Sequence, residues 1–280
     1  MPIISFWNRE KVETGKTFSL VAIATYMALR NNLKILIVST QFNDKTIEEC
    51  FWPVVKGNTN LNPLITKTTD ISTGIEGLSK AVMSNKSTPE IITNYTKVIF
   101  KDRLEVLLSP ETTNYDEYSK IATSYQEIVQ FANKYYDLVF VDVTNGLDAA
   151  PCSRELLTVS DLIIYTFPQK LKSINEIIDL KNDPEFRKIK NIIYMLSRTD
   201  VNSKYNDKNV ARNIGERKGI LSVPYCTLFG EAASEGNVAE YFIRYNKLTD
   251  ETDQNYIFIE AVKKDVQDII YKLQELQMRY

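Results

Sequence analysis

Glu10-Lys11-Val12-Glu13-Thr14-Gly15-Lys16-Thr17 separates two stretches of opposite periodicity, and its reading decides the fold. Before it, Ile3-Ile4-Ser5-Phe6-Trp7 is a short apolar run with the character of a strand. After it, Phe18 to Leu29 is apolar enough, at helical spacing, to form a helix packed on a sheet. Strand, loop and helix in that order form the setting of a phosphate-binding loop. There, backbone N–H groups at the helix start cradle phosphate, a lysine reaches the terminal phosphates and a Ser/Thr hydroxyl binds Mg²⁺. Gly15, Lys16 and Thr17 supply the last three parts, with Thr14 and Phe18 flanking them.

The full pattern G-x-x-x-x-G-K-[ST] would place glycine at position 10, which here is Glu10. Glu13 would bring a carboxylate toward a triphosphate. Like charges ~4 Å apart cost about 1 kcal/mol in water and about 4 kcal/mol at an effective dielectric near 20. Unless Glu13 turns outward or pairs with Lys11 or Arg9, ATP is expected to bind weakly. A chance Gly-Lys-Thr triplet at a helix start is the alternative reading, and the landmarks further along the chain weigh against it.

The chain has 280 residues, 44% hydrophobic and 25% charged, which suits one large α/β domain or two small ones, and a single domain is the favoured reading. No apolar run reaches the roughly 18 residues of a membrane span, and Asn8-Arg9-Glu10 behind the first strand does not fit a signal peptide. A soluble cytoplasmic protein with no integral membrane span is expected. Cys50, Cys152 and Cys226 are odd in number and far apart, as for reduced structural thiols. A net charge of −2 and a pI near 5.5 do not make the chain a polycation. The absence of histidine removes imidazole acid/base catalysis, Ser-His triads and His-ligated metal sites together.

Lys34-Ile35-Leu36-Ile37-Val38-Ser39-Thr40 is a second strand of nearly continuous apolarity, ending in the turn Gln41-Phe42-Asn43-Asp44. Residues 46–104 alternate polar loops with helical patterns, including Ile75 to Met83, and read as an insertion-rich region of the same domain that ends in a short strand near Leu104 to Leu108. Residues 115–136 carry a helical period that leads into Asp137-Leu138-Val139-Phe140-Val141-Asp142. Four apolar residues closing on an acid make a Walker B strand with Asp142 placed for Mg²⁺ or its water, or else a strand with an ordinary turn-forming aspartate at its end. Asp161 to Thr166 and Asn191 to Leu196 are two further strands, separated by a helix over 173–180 and a breaker at Pro184. Such alternation predicts a doubly wound, mostly parallel sheet flanked by helices. Residues 256–276 form a long amphipathic helix whose mixed polar face favours packing on the sheet over lying on a membrane.

This order of parts resembles the deviant Walker A ATPases of the MinD/ParA superfamily, including their divergent TadZ-like members linked to bacterial pilus and secretion systems. Their loop K-G-G-x-G-K-T is matched by Lys11-Val12-Glu13-Thr14-Gly15-Lys16-Thr17, which keeps the signature lysine, the last glycine, the P-loop lysine and the threonine but loses both central glycines. The resemblance implies a homodimer bridged by ATP (or ADP) and Mg²⁺, with Lys11 crossing to the partner's nucleotide; a solvated loop lysine is the alternative. It implies metal binding by Thr17 and Asp142, and nucleotide binding by Thr14, Gly15, Lys16, Thr17 and Phe18. The family's Asp-x-Asp pair falls on Ser39 and Gln41, so hydrolysis is expected to be slow or lost. Gln41 is the remaining candidate to orient a water, as glutamine does in GTPases, or it is a turn residue, while Asp44 lies too far along to align. Val223-Pro224-Tyr225 and Ala232 to Val238 resemble the edge where the base sits; Ser197 stands where relatives place a base-contacting asparagine, and Asp200 would read a base amino group or cap a turn.

The resemblance leaves two principal functions open: a nucleotide-dependent dimer switch positioning a pilus, secretion or DNA segregation complex, and a pseudo-ATPase scaffold that no longer binds nucleotide. A third, a tyrosine kinase or iron–sulfur reductase on the same fold, lacks a C-terminal tyrosine cluster beyond Tyr280 and lacks cluster-like cysteine spacing. The group Arg212, Arg217 and Lys218 is the candidate DNA contact, with a solvated basic face as the alternative.

Overall fold

The computed structural model describes residues 2–10, 14–53, 74–83, 88–146, 150–184 and 186–278. In chain order its elements are β1 (Ile3–Trp7), α1 (Lys16–Arg30), β2 (Ile35–Ser39), α2 (Thr46–Phe51), α3 (Gly74–Met83), a 3-10 turn (Pro89–Asn94), β3 (Thr96–Phe100), β4 (Leu104–Leu107), α4 (Tyr115–Ala122), α5 (Tyr125–Ala132) and β5 (Leu138–Asp142). They continue as α6 (Ser153–Val159), β6 (Leu162–Pro168), α7 (Leu171–Asn182), β7 (Ile192–Thr199), α8 (Asp207–Asn213), β8 (Leu221–Pro224), α9 (Thr227–Ser234), α10 (Val238–Tyr245) and α11 (Gln254–Gln277).

The strands form one sheet of eight in the order β3-β4-β2-β5-β1-β6-β7-β8. Every pairing is parallel except that of β3 with β4, so an antiparallel edge strand closes an otherwise parallel sheet. Alternate residues of the interior strands enter two separate cores. Ile4 and Phe6 of β1 join α1, α2, α9, α10 and α11 on one face, while Ile3 and Trp7 join α3 to α8 on the other. Burial on both faces explains why these strands read as unbroken apolar runs instead of alternating ones.

Strand order also places the site. β5 lies between β2 and β1, in register such that Asp142 is level with Ser39 on one side and Phe6 on the other. The carboxyl end of β5 therefore opens beside the start of α1, where the order of strands reverses and where open α/β sheets bind ligands.

Three expectations are corrected. The helical period over 115–136 divides into α4 and α5, because the hydroxyls of Thr123 and Ser124 donate to the carbonyls of Lys120 and Ile121 at 2.7 and 2.6 Å and close the first helix early. Within 46–104, Thr96–Phe100 is a strand, and Leu221–Pro224 adds a further one at the opposite edge. Within the same region, residues 54–73 lie outside the described residues. The C-terminal helix packs on α1 and β8, as its mixed polar face indicates, and no described helix is long and apolar enough to cross a membrane. Cys50, Cys152 and Cys226 are buried free thiols, and burial pushes those of Cys50 and Cys152 up to about 12, which keeps them protonated and unreactive.

Candidate functional site

α1 begins at Gly15, whose φ of +74° is a left-handed conformation that favours glycine. A Cβ there would come within 2.8 Å of Arg198 Cγ and 3.2 Å of Ser197 Cβ, so the loop is seated directly on the end of β7. No side chain caps the helix and its first turn holds no acid. The first intrahelical bond runs from Ser19 N to Gly15 O at 2.9 Å, leaving the opening N–H groups of a 15-residue helix as donors toward an anionic oxygen.

Two adjacent residues of α1 meet a third from nearly half the chain away at this point. Lys16 Nζ lies 2.7 Å from Asp142 Oδ1, with the two side chains 3% and 0% exposed. Lys16 also donates to the carbonyl of Val143. Thr17 Oγ1 donates to Asp142 Oδ2 at 2.8 Å. Burial pushes the Lys16 ammonium below its ordinary value, and the charge of Asp142 opposes that shift. The arrangement has the chemistry to hold a phosphate and a hard cation. An ammonium stands beside free helix N–H groups, and a hydroxyl shares a carboxylate that a hard cation would take through oxygen.

Gln41 reaches the same point by another route. Its side-chain amide donates to the Val143 carbonyl at 3.5 Å, while its backbone N–H donates to Ser39 Oγ at 3.3 Å. Asp44 acts on Lys16 through its charge, and its Oδ1 accepts from Thr46 N at 2.8 Å. The neighbouring strand ends are tied together: Thr144 N donates to Thr40 Oγ1 at 2.9 Å, Thr144 Oγ1 donates to the Thr40 carbonyl at 2.6 Å, and the buried Tyr118 hydroxyl donates to that same carbonyl.

Thr14 is buried rather than open. The Asn8 amide donates to its hydroxyl, and Ser197 Oγ donates to its carbonyl and to that of Phe167. Neither Asn8 nor this double role of Ser197 was legible in the sequence, because both arise from contacts that only the assembled sheet creates. Phe18 lines a cleft of about 360 Å³ together with Gly15, Arg198, Tyr225, Thr227 and Phe229. Arg198 sits on a bulge of β7 at φ +53°, with its guanidinium 6.0 Å from the centre of the Tyr225 ring. Asp200 accepts from Asn202 N at 2.8 Å in a turn, as the turn-capping alternative has it. The structure thus brings together Thr14, Gly15, Lys16, Thr17, Phe18, Gln41 and Asp142, while Lys11 and Glu13 lie outside the described residues.

No family model matches the chain, and no curated protein matches it by sequence. Solved structures match by fold. A ParA family ATPase from Chlorobium tepidum TLS superposes with a TM-score of 0.68 at 17% identity, covering 95% of this chain and 97% of that one. The septum site-determining protein MinD of Pyrococcus horikoshii OT3, complexed with Mg-ADP, gives 0.65 at 13% identity over 97% and 99%. The MinC:MinD cell division complex of Aquifex aeolicus gives 0.60 at 12% identity over 96% of both chains. The eight-stranded, mostly parallel sheet with helices on both faces is therefore the fold of the MinD and ParA ATPases.

Proposed function

We propose that this chain is a nucleotide-dependent dimer switch, a divergent, TadZ-like deviant Walker A protein of the bacterial cytoplasm that positions a partner complex. The whole chain would act as one P-loop domain with 46–104 as its insertion-rich region. The observation that carries this reading is the convergence of Lys16, Thr17 and Asp142 at the uncapped start of α1. In this reading the opening N–H groups of α1 and Lys16 hold the phosphates of ATP or ADP, Thr17 and Asp142 hold Mg²⁺, and the base enters the cleft between Phe18 and Tyr225. Bound Mg²⁺ would neutralise phosphate charge. Lys11 would reach the nucleotide of a second copy. The fold-relatives bound to Mg-ADP and to MinC support a nucleotide and a protein partner of these kinds.

Turnover is expected to be slow. Ser39 and Gln41 bring no carboxylate to the end of β2, and Gln41 is engaged with the Val143 carbonyl. A second reading, a pseudo-ATPase scaffold that keeps the fold without nucleotide, is favoured by these replacements and by Glu10 and Glu13 near the loop. Titration calorimetry of ATP with Mg²⁺, with light scattering in parallel, separates the two. The switch predicts micromolar binding and a shift from monomer to dimer, both lost in Lys16→Ala. Thr17→Ala serves as a companion because it leaves the Lys16–Asp142 pair in place. No heat at millimolar ATP establishes the scaffold.

DNA is the weaker candidate partner. Of the basic group at 212–218, Lys218 is paired with Glu275 at 2.9 Å, while Arg212 and Arg217 are exposed. If DNA is bound there, a low-salt mobility shift should weaken with added salt and disappear in Arg212→Glu. No shift at low salt removes DNA from the reading.

A further inference from the structure

The turn that follows β2 stands between the candidate site and α4, and its residues face both ways. Thr40 is its fixed end: the Thr144 and Tyr118 hydroxyls both donate to the Thr40 carbonyl, and Thr144 N donates to Thr40 Oγ1 at 2.9 Å. Past Thr40 the chain is held by longer bonds, from Gln41 to Ser39 Oγ at 3.3 Å and to the Val143 carbonyl at 3.5 Å, and Asn43 takes a left-handed φ of +50°. Toward the site, the charge of Asp44 acts on Lys16. Away from it, the half-buried Phe42 packs on two aromatic residues of α4, its ring centre 5.4 Å from that of Tyr115 and 5.1 Å from that of Tyr118. Tyr118 is buried and Tyr115 is 50% exposed, so an open face of α4 leans on this one turn.

Attraction between Asp44 and Lys16 favours the turn drawn inward, with Phe42 against α4. Once Lys16 is matched to a phosphate, Asp44 in the same place faces net negative charge, and an outward turn becomes the better arrangement. A ligand shifts a two-state element only through such a difference between the states. We propose that the Gln41–Asp44 turn is a relay that withdraws Phe42 from Tyr115 and Tyr118 when nucleotide is bound, so that the exposed face of α4 reports the state of the site. This rests on the nucleotide-binding reading above and adds an output to it. The pinned Thr40 carbonyl is the pivot, Asp44 the sensing charge and Phe42 the arm. Coupling of this kind is reciprocal, so freeing Phe42 from α4 also strengthens nucleotide binding.

Hydrogen exchange followed by mass spectrometry reads the amides of residues 115–122 with and without ATP and Mg²⁺, and titration calorimetry reads binding on the same proteins. In the wild type, exchange over 115–122 is expected to become about threefold or more faster with Mg–ATP. Asp44→Asn keeps an oxygen to accept from Thr46 N and removes the sensing charge, so it is expected to bind Mg–ATP without that change in exchange. Phe42→Ala is expected to exchange fast over 115–122 with or without ligand and to bind Mg–ATP about five- to tenfold more tightly, since no aromatic contact has to be broken. Wild type that binds Mg–ATP with exchange over 115–122 unchanged or slower overturns the relay. Asp44→Asn that responds as fully as wild type overturns it too, and these two results decide the matter should Phe42→Ala fail to fold by circular dichroism. A folded Phe42→Ala that binds no more tightly than wild type also overturns it. Wild type that gives no heat with Mg–ATP overturns the nucleotide reading itself, and the relay with it.

Discussion

Gly236→Ala is expected to lower the melting temperature by about 5–9 °C. Gly236 follows α9 as the residue that reverses its last turn. Its φ is +78°, and the N–H of Asn237 donates back to the Ala232 carbonyl at 2.8 Å, the pattern of a Schellman cap. Conformation alone would charge an alanine roughly 1–2 kcal/mol here. Space adds to it. A Cβ at this position would fall 2.3 Å from Pro53 N and 2.4 Å from the Trp52 carbonyl carbon, and both are backbone atoms that no rotamer change can move aside. Trp52 is itself held from the other side by Lys97, whose ammonium sits 4.0 Å from the ring centre. The alanine must therefore push the turn between α9 and α10 away from the end of α2, at a combined cost of roughly 3–5 kcal/mol. Thermal unfolding followed by circular dichroism measures the shift. A change within about 1 °C would show that this seam yields freely and is not a packed contact.

Gly236 also shows what the sequence could and could not disclose. In the linear chain it belongs to the segment 232–238 that resembles the base-binding edge, yet in three dimensions it serves a helix cap and a backbone contact with residues about 180 positions earlier. The strands beneath the site were legible because a parallel strand covered on both faces must be apolar throughout, as in Ile35–Ser39, Leu138–Asp142 and Leu162–Pro168. The two edge strands were not. β3 carries an exposed Lys97 and a half-exposed Val98, and β8 is four residues long and ends in proline.

The site divides in the same way. Gly15, Lys16, Thr17 and Asp142 announce themselves because each lies at a boundary between an apolar element and a polar turn, and the chemistry of phosphate and Mg²⁺ restricts which residue types stand there. The contacts that Ser197 and Arg198 make with the loop do not, because they depend on a bulge in β7 that brings a left-handed arginine across Gly15. Nor does the knot of Thr40, Thr144 and Tyr118, whose members are joined across 104 and 78 positions of sequence. Lys11 lies outside the described residues.

Asp265→Asn is expected to stabilise the protein at pH 8 and to leave it unchanged at pH 4. Asp265 lies on α11 with 2% of its surface exposed, and its two oxygens accept from a single backbone donor, Ser222 N on the edge strand β8, at 3.2 and 3.1 Å. Burial raises its carboxyl to about 7; the Ser222 N–H and the charge of Lys264 pull the other way, and Asp268 and Asp207 add to the rise. The folded state thus holds a proton on Asp265 that the unfolded chain gives up near the ordinary value of 3.8. The stability this proton contributes is complete below the unfolded value and is lost progressively as pH climbs through the folded one. By pH 8 the chain carries a buried carboxylate in the same place, at a cost of up to about 4 kcal/mol. Asparagine presents the same acceptor oxygen to Ser222 without a charge to desolvate, so it should recover much of that cost at high pH and nothing at low pH. Urea unfolding of both proteins between pH 4 and 8 gives the comparison, and the carboxylates elsewhere in the fold cancel because both proteins share them. A difference that stays constant with pH, or a variant less stable than wild type at pH 8, would mean that Asp265 is ionised in the fold and that its bond to the sheet edge outweighs its desolvation.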